Sequence, residues 1–235
     1  MGDTLKSKLY KFLVIILYAV SLFILLTFLK VRFTSYISIE PNIRLILTIL
    51  SFVLIYINGY ILVKKLNYSK KILKIHLIIY FIVYTVLLLV LTLFDELFGR
   101  KGLMFINWNN DLLSLYIKYS FNMIPFKTIS LFIKGFINES VNFRSFSINI
   151  IGNLCAFMPY SLLLPLIFKK MNKFLNFLIT IVITVVVIEL LQFVTMSGSC
   201  DIDDLILNVF GSSIIYLIIN IKPINKIIRK IFLFE

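Results

Sequence analysis

Long apolar runs with almost no charge are separated by more polar segments along the chain. Six runs are 17 to 24 residues long, and the one acid they contain is Glu189. They cover residues 12–29, 45–63, 77–94, 145–168, 174–194 and 205–221. A helix needs about 20 residues to cross a bilayer core of about 30 Å. The pattern predicts an all-α bundle of six transmembrane helices, the first of which is too long for a signal peptide.

The region between the third and fourth spans, residues 95–144, differs from the other loops in length and pattern. Residues 112–121 and 128–137 are apolar with isolated lysines, which is typical of segments that lie in the membrane interface. Pro125 separates them and disfavours one continuous helix. We therefore expect two short interfacial segments within a long outer loop.

The distribution of basic residues predicts how the protein is oriented in the membrane. The formal net charge is +13, and 15 of the 24 basic residues fall in segments on the side of the N-terminus. These are Lys6, Lys8, Lys11, Lys64, Lys65, Lys70, Lys71, Lys74, Lys169, Lys170, Lys173, Lys222, Lys226, Arg229 and Lys230. By the positive-inside rule, both termini face the cytoplasm. We interpret the net charge as topology and attraction to anionic membrane lipid, not as nucleic-acid binding.

Composition narrows the class of protein. The chain of 235 residues is 60% hydrophobic and 15% charged, with a mean hydropathy of +1.01. A soluble domain of this size could not bury so much apolar surface, so a soluble enzyme is excluded. The one histidine, His76, lies at the cytoplasmic start of the third span and cannot join the outer acids in a triad or metal site. Two cysteines, Cys155 and Cys200, leave a disulfide open, although isolated cysteines in such a protein usually act as small apolar residues.

Polar residues in the last three spans, and in the loop before the sixth span, indicate a candidate site. At a rise of about 1.5 Å per residue, these residues fall at similar depths in the membrane. We therefore expect them to meet just below the outer surface. The expected ligand-binding residues are Asn153, Glu189, Gln192, Asp201, Asp203, Asp204 and Asn208. Acids inside a membrane tend to face a polar cavity, and Glu189 is the candidate general base.

Simpler roles for these residues stay open. The amides and Glu189 could hydrogen-bond the helices together, while Asp203 or Asp204 could cap the sixth helix. Three acids within four positions could also bind Mg²⁺ or another divalent cation through Asp201, Asp203 and Asp204. No cofactor is certain from the residues alone.

Several sequence blocks carry a resemblance to the VanZ-like family of membrane proteins. They read NMIPF at residues 122–126, NLCAFMP at 153–159, LP at 164–165, ELLQ at 189–192 and DIDDLILNVFG at 201–211. Many relatives carry an Arg shortly before the last block, where this chain has Ser197-Gly-Ser-Cys200. We expect structural roles for Asn122, Pro125, Pro159, Pro165 and Gly211.

The resemblance covers about residue 77 to the C-terminus. It implies a VanZ-like membrane domain at residues 75–235, preceded by a two-helix addition at residues 1–74. It also implies an association with lowered sensitivity to teicoplanin and related lipid-tailed glycopeptides.

Three functional hypotheses follow. In the first, a protein of the bacterial cytoplasmic membrane binds a lipid-linked envelope precursor or a lipoglycopeptide at the outer leaflet, with membrane lipid as its other partner. In the second, a metal-dependent enzyme acts on a lipid phosphate or diphosphate at the same site, with Glu189 as the base. A proton-coupled carrier is disfavoured because no repeat is visible.

Overall fold

The structure is a computed structural model that describes residues 2–33, 41–94 and 109–232. The chain divides into two compact units, Met1–Tyr80 with Arg229–Glu235, and Phe81–Ile228. The boundary between the two units lies inside a helix, after residue 80. It is six residues beyond the predicted domain boundary between residues 74 and 75. That the first two helices are an addition to a common core stays a prediction.

The first unit is built from long apolar helices. Helix α1 covers Gly2–Phe33, α2 covers Pro41–Lys64, and α3 covers Lys71–Phe94 and continues into the second unit. His76 is buried, with 5% of its surface exposed. Its Nδ1 donates to the carbonyl oxygen of Ile72 at 2.7 Å, and its Nε2 accepts from the Tyr18 hydroxyl. His76 therefore links α3 to α1 inside the unit.

The second unit contains the remaining described elements, except that the last helix ends in the first unit from Arg229 onward. Two short helices, α4 at Asn110–Ser120 and α5 at Lys127–Ile137, lie on either side of Pro125, as the pattern predicted. The elements after them are α6 Phe143–Phe146, a π-helical segment Ser147–Gly152, α7 Asn153–Ala156, α8 Met158–Ile167, a 3-10 turn Lys169–Asn172, α9 Phe174–Thr195, α10 Ile202–Ile219 and α11 Lys222–Ile231. The first part of the long loop, residues 95–108, lies outside the described residues.

The core of the second unit is apolar and aromatic. It forms where α8, α9 and α10 meet the C-terminal half of α3. Its largest buried side chains are Phe157, Tyr160, Leu164, Phe177, Ile181 and Tyr216. Two hydroxyls inside it are satisfied, because Tyr160 hydrogen-bonds to Thr85 at 2.8 Å and Ser161 donates to the carbonyl of Ser212 at 2.7 Å.

The fourth predicted span is a chain of short helical pieces instead of one helix. It breaks at Phe157, whose dihedrals are φ −105° and ψ 7°. Pro159 explains the break, since it has no N–H and its ring disfavours the preceding helical turn. The carbonyl of Ala156 accepts the Tyr84 hydroxyl at 2.6 Å. By contrast, α8 runs through Pro165.

Five described helical segments, including the interrupted one just described, are long and apolar enough to cross a membrane. They are Thr4–Ile24, Lys71–Leu93, Phe143–Ile167, Phe174–Thr195 and Ile202–Ile219. The predicted second span coincides with α2, whose described apolar part, Val53–Lys64, is shorter. An all-α membrane protein is therefore confirmed, while six spans and the orientation stay predictions.

Gly211 allows α10 to approach α7 closely. A Cβ atom at this position would lie 2.0 Å from the carbonyl oxygen of Leu154. Small residues let helix backbones touch in this way within membrane bundles.

We expect Gly211→Ala to lower the free energy of unfolding by about 1–3 kcal/mol, because the added methyl group must push two backbones apart. Thermal unfolding in detergent measures the change. Gly152→Ala is the matched control, since its Cβ would be 3.6 Å from the carbonyl oxygen of Ser147 and fits without movement. Equal stability of the two variants would contradict the close packing.

Candidate ligand-binding site

A short parallel strand pair joins the long loop after α3 to the acidic block. Strand β1 is Phe121–Asn122 and strand β2 is Cys200–Asp201, with Phe121 opposite Cys200 and Asn122 opposite Asp201. The apolar pattern gave no sign of these strands because each has only two residues. The strand pair places the NMIPF block beside the DIDD block. Asn122 of the first block and Asp201 of the second are 79 residues apart in the sequence.

Asp201 caps α10 and at the same time holds the long loop that contains Asn122 and Thr128. Its Oδ1 accepts the backbone N–H of Asp203 and the side-chain amide of Asn122, both at 2.9 Å. Its Oδ2 accepts the Thr128 hydroxyl at 2.5 Å. The expectation that Asp203 or Asp204 caps this helix was therefore wrong: helix α10 begins at Ile202, and Asp201 occupies the N-cap position.

Asp203 is fully buried and caps a different helix, α5. Its Oδ1 accepts the N–H of Phe126 at 2.5 Å, and its Oδ2 accepts those of Thr128 at 2.7 Å and Ile129 at 3.0 Å. The N-cap residue of α5, Phe126, has a left-handed conformation with φ 63° and no side-chain cap of its own. A carboxylate at the positive end of this helix satisfies amides that the local sequence leaves without an acceptor.

The predicted residues of α9 also make contacts within the protein. The Oε2 of Glu189 accepts the N–H of Asp201 at 3.1 Å. The side chain of Gln192, 2% exposed, donates to the carbonyl of Thr92 at 3.0 Å. In α10, the Asn208 amide donates to the carbonyl of Asp204 at 2.7 Å. The contacts of Glu189 and Gln192 join α9 to β2 and to α3, whereas the contact of Asn208 lies within α10.

A cavity of about 690 Å³ opens beside this network. Two of the predicted residues, Asn153 and Asp204, line it, and the Asn153 amide donates to Oδ1 of Asp204 at 2.5 Å. Asn149 and Ser197 add further polar groups. Asp204 is half-buried and is the one charged side chain among the described lining residues.

Most of the remaining cavity wall is apolar or aromatic, with Thr92, Ser120 and Ser199 as further polar residues. It comes from α3, α4, the π-helical segment and α7. The main contributors are Leu88, Leu91, Leu112, Leu115, Ile148 and the rings of Tyr84, Tyr116 and Tyr119. The cavity therefore has a polar end near Asp204 and an apolar wall. Glu189, Gln192, Asp201, Asp203 and Asn208 are not among the described residues that line it.

The described residues contain no group of three or more His, Cys, Asp or Glu side chains that could hold a metal ion. The oxygens of Asp201 and Asp203 accept hydrogen bonds from N–H and O–H groups of the protein. The structure thus gives Mg²⁺ no ligand set at the three aspartates within the part of the chain it describes.

Sequence reasoning missed Thr128 and the wall formed by α4. The signal for an external cap was present, because α5 begins after Phe126 with no Ser, Thr, Asp or Asn at its N-cap position. The sequence did not predict that α4 lines the cavity, because its apolar residues are equally typical of a helix that faces the membrane.

The two cysteines are free in this structure, Cys155 exposed and Cys200 buried. Burial, together with the nearby carboxylates of Glu189, Asp201 and Asp204, raises the pKa of the Cys200 thiol to about 11. Negative charge and desolvation both disfavour the thiolate.

Helices long and apolar enough to span a bilayer, with a polar-ended cavity among them, define a helical membrane protein. The VanZ/LLP1 family matches residues 81–223, and the chain belongs to this family. Neither the curated proteins nor the solved structures contain a match to the chain.

We expect Asp203→Asn to lower the free energy of unfolding by about 3 kcal/mol, because the charge is lost and an amide N–H then faces backbone N–H groups. Thermal unfolding gives the overall change, and hydrogen exchange over residues 121–137 gives the local one. Asp204→Asn is the control, with a smaller loss since that side chain is half-buried. Unchanged exchange in α5 upon Asp203→Asn would contradict the cap.

The pKa of Cys200 predicts slow alkylation near neutral pH. In a Cys155→Ser background, the rate should rise about tenfold per pH unit up to about pH 11, as the reactive thiolate forms. Removing a neighbouring charge with Glu189→Gln should lower the pKa of Cys200 and raise the rate at pH 8. Mass spectrometry of the alkylated peptide measures both, and a rate that levels off by pH 9 would contradict the raised pKa.

Proposed function

We propose that this protein binds the polar head of a lipid-linked envelope component or a lipoglycopeptide in the cavity beside Asp204. It acts in the bacterial cytoplasmic membrane and contributes to resistance against teicoplanin-type glycopeptides. One observation carries the proposal: a cavity of about 690 Å³ combines a carboxylate–amide end with an apolar wall. Membership of the VanZ/LLP1 family fits a membrane protein of the glycopeptide-resistance type.

The two ends of the cavity suit an amphiphile. Asp204 is an acceptor, and the amides of Asn149 and Asn153 lie along the same helical row four residues apart. Sugar hydroxyls, amides and amines supply the donors that such groups recognise. The leucines and Ile148 offer apolar surface to an acyl or prenyl chain next to that head.

The proposed topology has six spans with both termini in the cytoplasm. The distribution of basic residues supports this orientation. It places the acidic block, α4 and α5 at the outer leaflet, where envelope precursors and lipid-tailed antibiotics are found. On this topology α2 is a span, in keeping with its length of 24 residues.

The acids then have two separate roles. Asp201, Asp203 and Glu189 accept hydrogen bonds from the loop and from β2, so they position the cavity wall. Asp204 lies at the cavity and contacts the ligand, together with Asn153 and Asn149. The predicted site residues thus divide into positioning residues and ligand-contacting residues.

We expect Asp204→Asn to weaken binding about tenfold to hundredfold, because the ligand loses a charge-assisted hydrogen bond. Purified protein in nanodiscs, titrated with teicoplanin, measures the affinity. In a deletion strain, the wild-type gene should restore reduced teicoplanin susceptibility and Asp204→Asn should not.

Asp111→Asn is the matched control, because this exposed acid of α4 is not a described lining residue and loses the same charge. It should behave like the wild type in both assays. Full complementation by folded Asp204→Asn protein, or no effect of the deletion on either susceptibility or cell-surface composition, would overturn the proposal.

A further inference from the structure

The last described helix, α11, differs in character from the spans. It begins at Lys222, after a break at Asn220 and Ile221 that ends α10. The Asn220 amide donates to the carbonyl of Tyr216 at 2.9 Å, which closes the last turn of α10. The chain then resumes helical structure for ten residues. The break lets α11 take a direction of its own.

Basic and apolar residues occupy opposite sides of α11. At 100° per residue, the four basic side chains fall within an arc of about 100°. They are Lys222, Lys226, Arg229 and Lys230. The isoleucines fill the opposite arc, at positions 224, 227, 228 and 231, and the helix contains no acid.

The described protein covers only part of the apolar side of α11, where Ile224 and Ile228 are half-buried and the other two isoleucines are exposed. Ile227 is 59% exposed and Ile231 is 48% exposed. The end of the helix is fixed within the first unit, where the Tyr56 hydroxyl donates to the carbonyl of Ile231 at 2.9 Å. The Tyr56 and Phe232 rings also meet edge to face, with centroids 5.8 Å apart.

We propose that α11 lies flat in the membrane surface and binds anionic phospholipid head groups. Its isoleucines then enter the acyl boundary while its basic arc contacts lipid phosphates, as amphipathic basic helices do. Charge complementarity identifies the occupant, because four basic residues on one arc attract an anionic bilayer. This site is separate from the cavity and does not rest on the proposed function.

Spin labels on the full-length protein test this placement. In a Cys155→Ser/Cys200→Ser background, a label is attached at Ile227→Cys or at Lys226→Cys, and the protein is reconstituted in nanodiscs with or without phosphatidylglycerol. We expect the label at 227 to be accessible to oxygen and shielded from a polar nickel relaxant, with the reverse at 226. The contrast should increase with phosphatidylglycerol.

Charge variants test the lipid preference. Each basic residue changed to Gln should lower the equilibrium constant for the membrane-docked state about fivefold. For labels at 227, Lys230→Arg should keep the docking and Lys230→Gln should weaken it. Equal nickel accessibility at 226 and 227, no dependence on phosphatidylglycerol, or a label at 227 immobilised by a second protein copy would each overturn the proposal.

Discussion

The carboxylate of Asp203 is the contact on which the arrangement of the long loop in the second unit depends. It is fully buried, and three backbone N–H groups at the start of α5 surround its two oxygens. Hydrogen bonds to a charged group contribute about 1.5–3 kcal/mol each, and leaving one partner buried and unpaired costs a comparable amount. The Asp203 carboxylate and the first N–H groups of α5 therefore each need the other as a hydrogen-bond partner. Their contact holds the long loop against α10.

Several other features follow from that attachment. With α5 in place, Thr128 reaches Asp201, and Asn122 pairs with the same carboxylate. The β1–β2 pair then aligns the chain that immediately follows α4. Helix α4 supplies apolar and aromatic side chains to the cavity wall, while Asn149 and Asn153 of the interrupted helical segment supply polar groups. A loop and a helix thus form the cavity, and Asp201 and Asp203 hold these two elements together.

The sequence predicted those parts of the fold that follow from the lipid environment and from the spacing of residues along the chain. Long uncharged runs located the spans, and Pro125 separated α4 from α5, because lipid and proline restrict the backbone strongly. Of the residues that the sequence placed in one polar cluster, Asn153 and Asp204 form a hydrogen bond with each other. The roles of Asp201 and Asp203 were not predictable in this way, since an acid's partner depends on a contact between segments more than 70 residues apart. The two-residue strands were missed for the same reason: pairing, not local pattern, defines them.

Photocrosslinking in living cells tests the central claim, that the cavity holds an envelope amphiphile, most directly. A photoreactive amino acid is placed either at Leu115, which lines the cavity and is 52% exposed, or at Leu217, which is 55% exposed and is not a described lining residue. The account predicts that mass spectrometry finds a lipid-linked envelope component, or added teicoplanin, attached at 115 but not at 217. The same bulk phospholipids attached at both positions would contradict it.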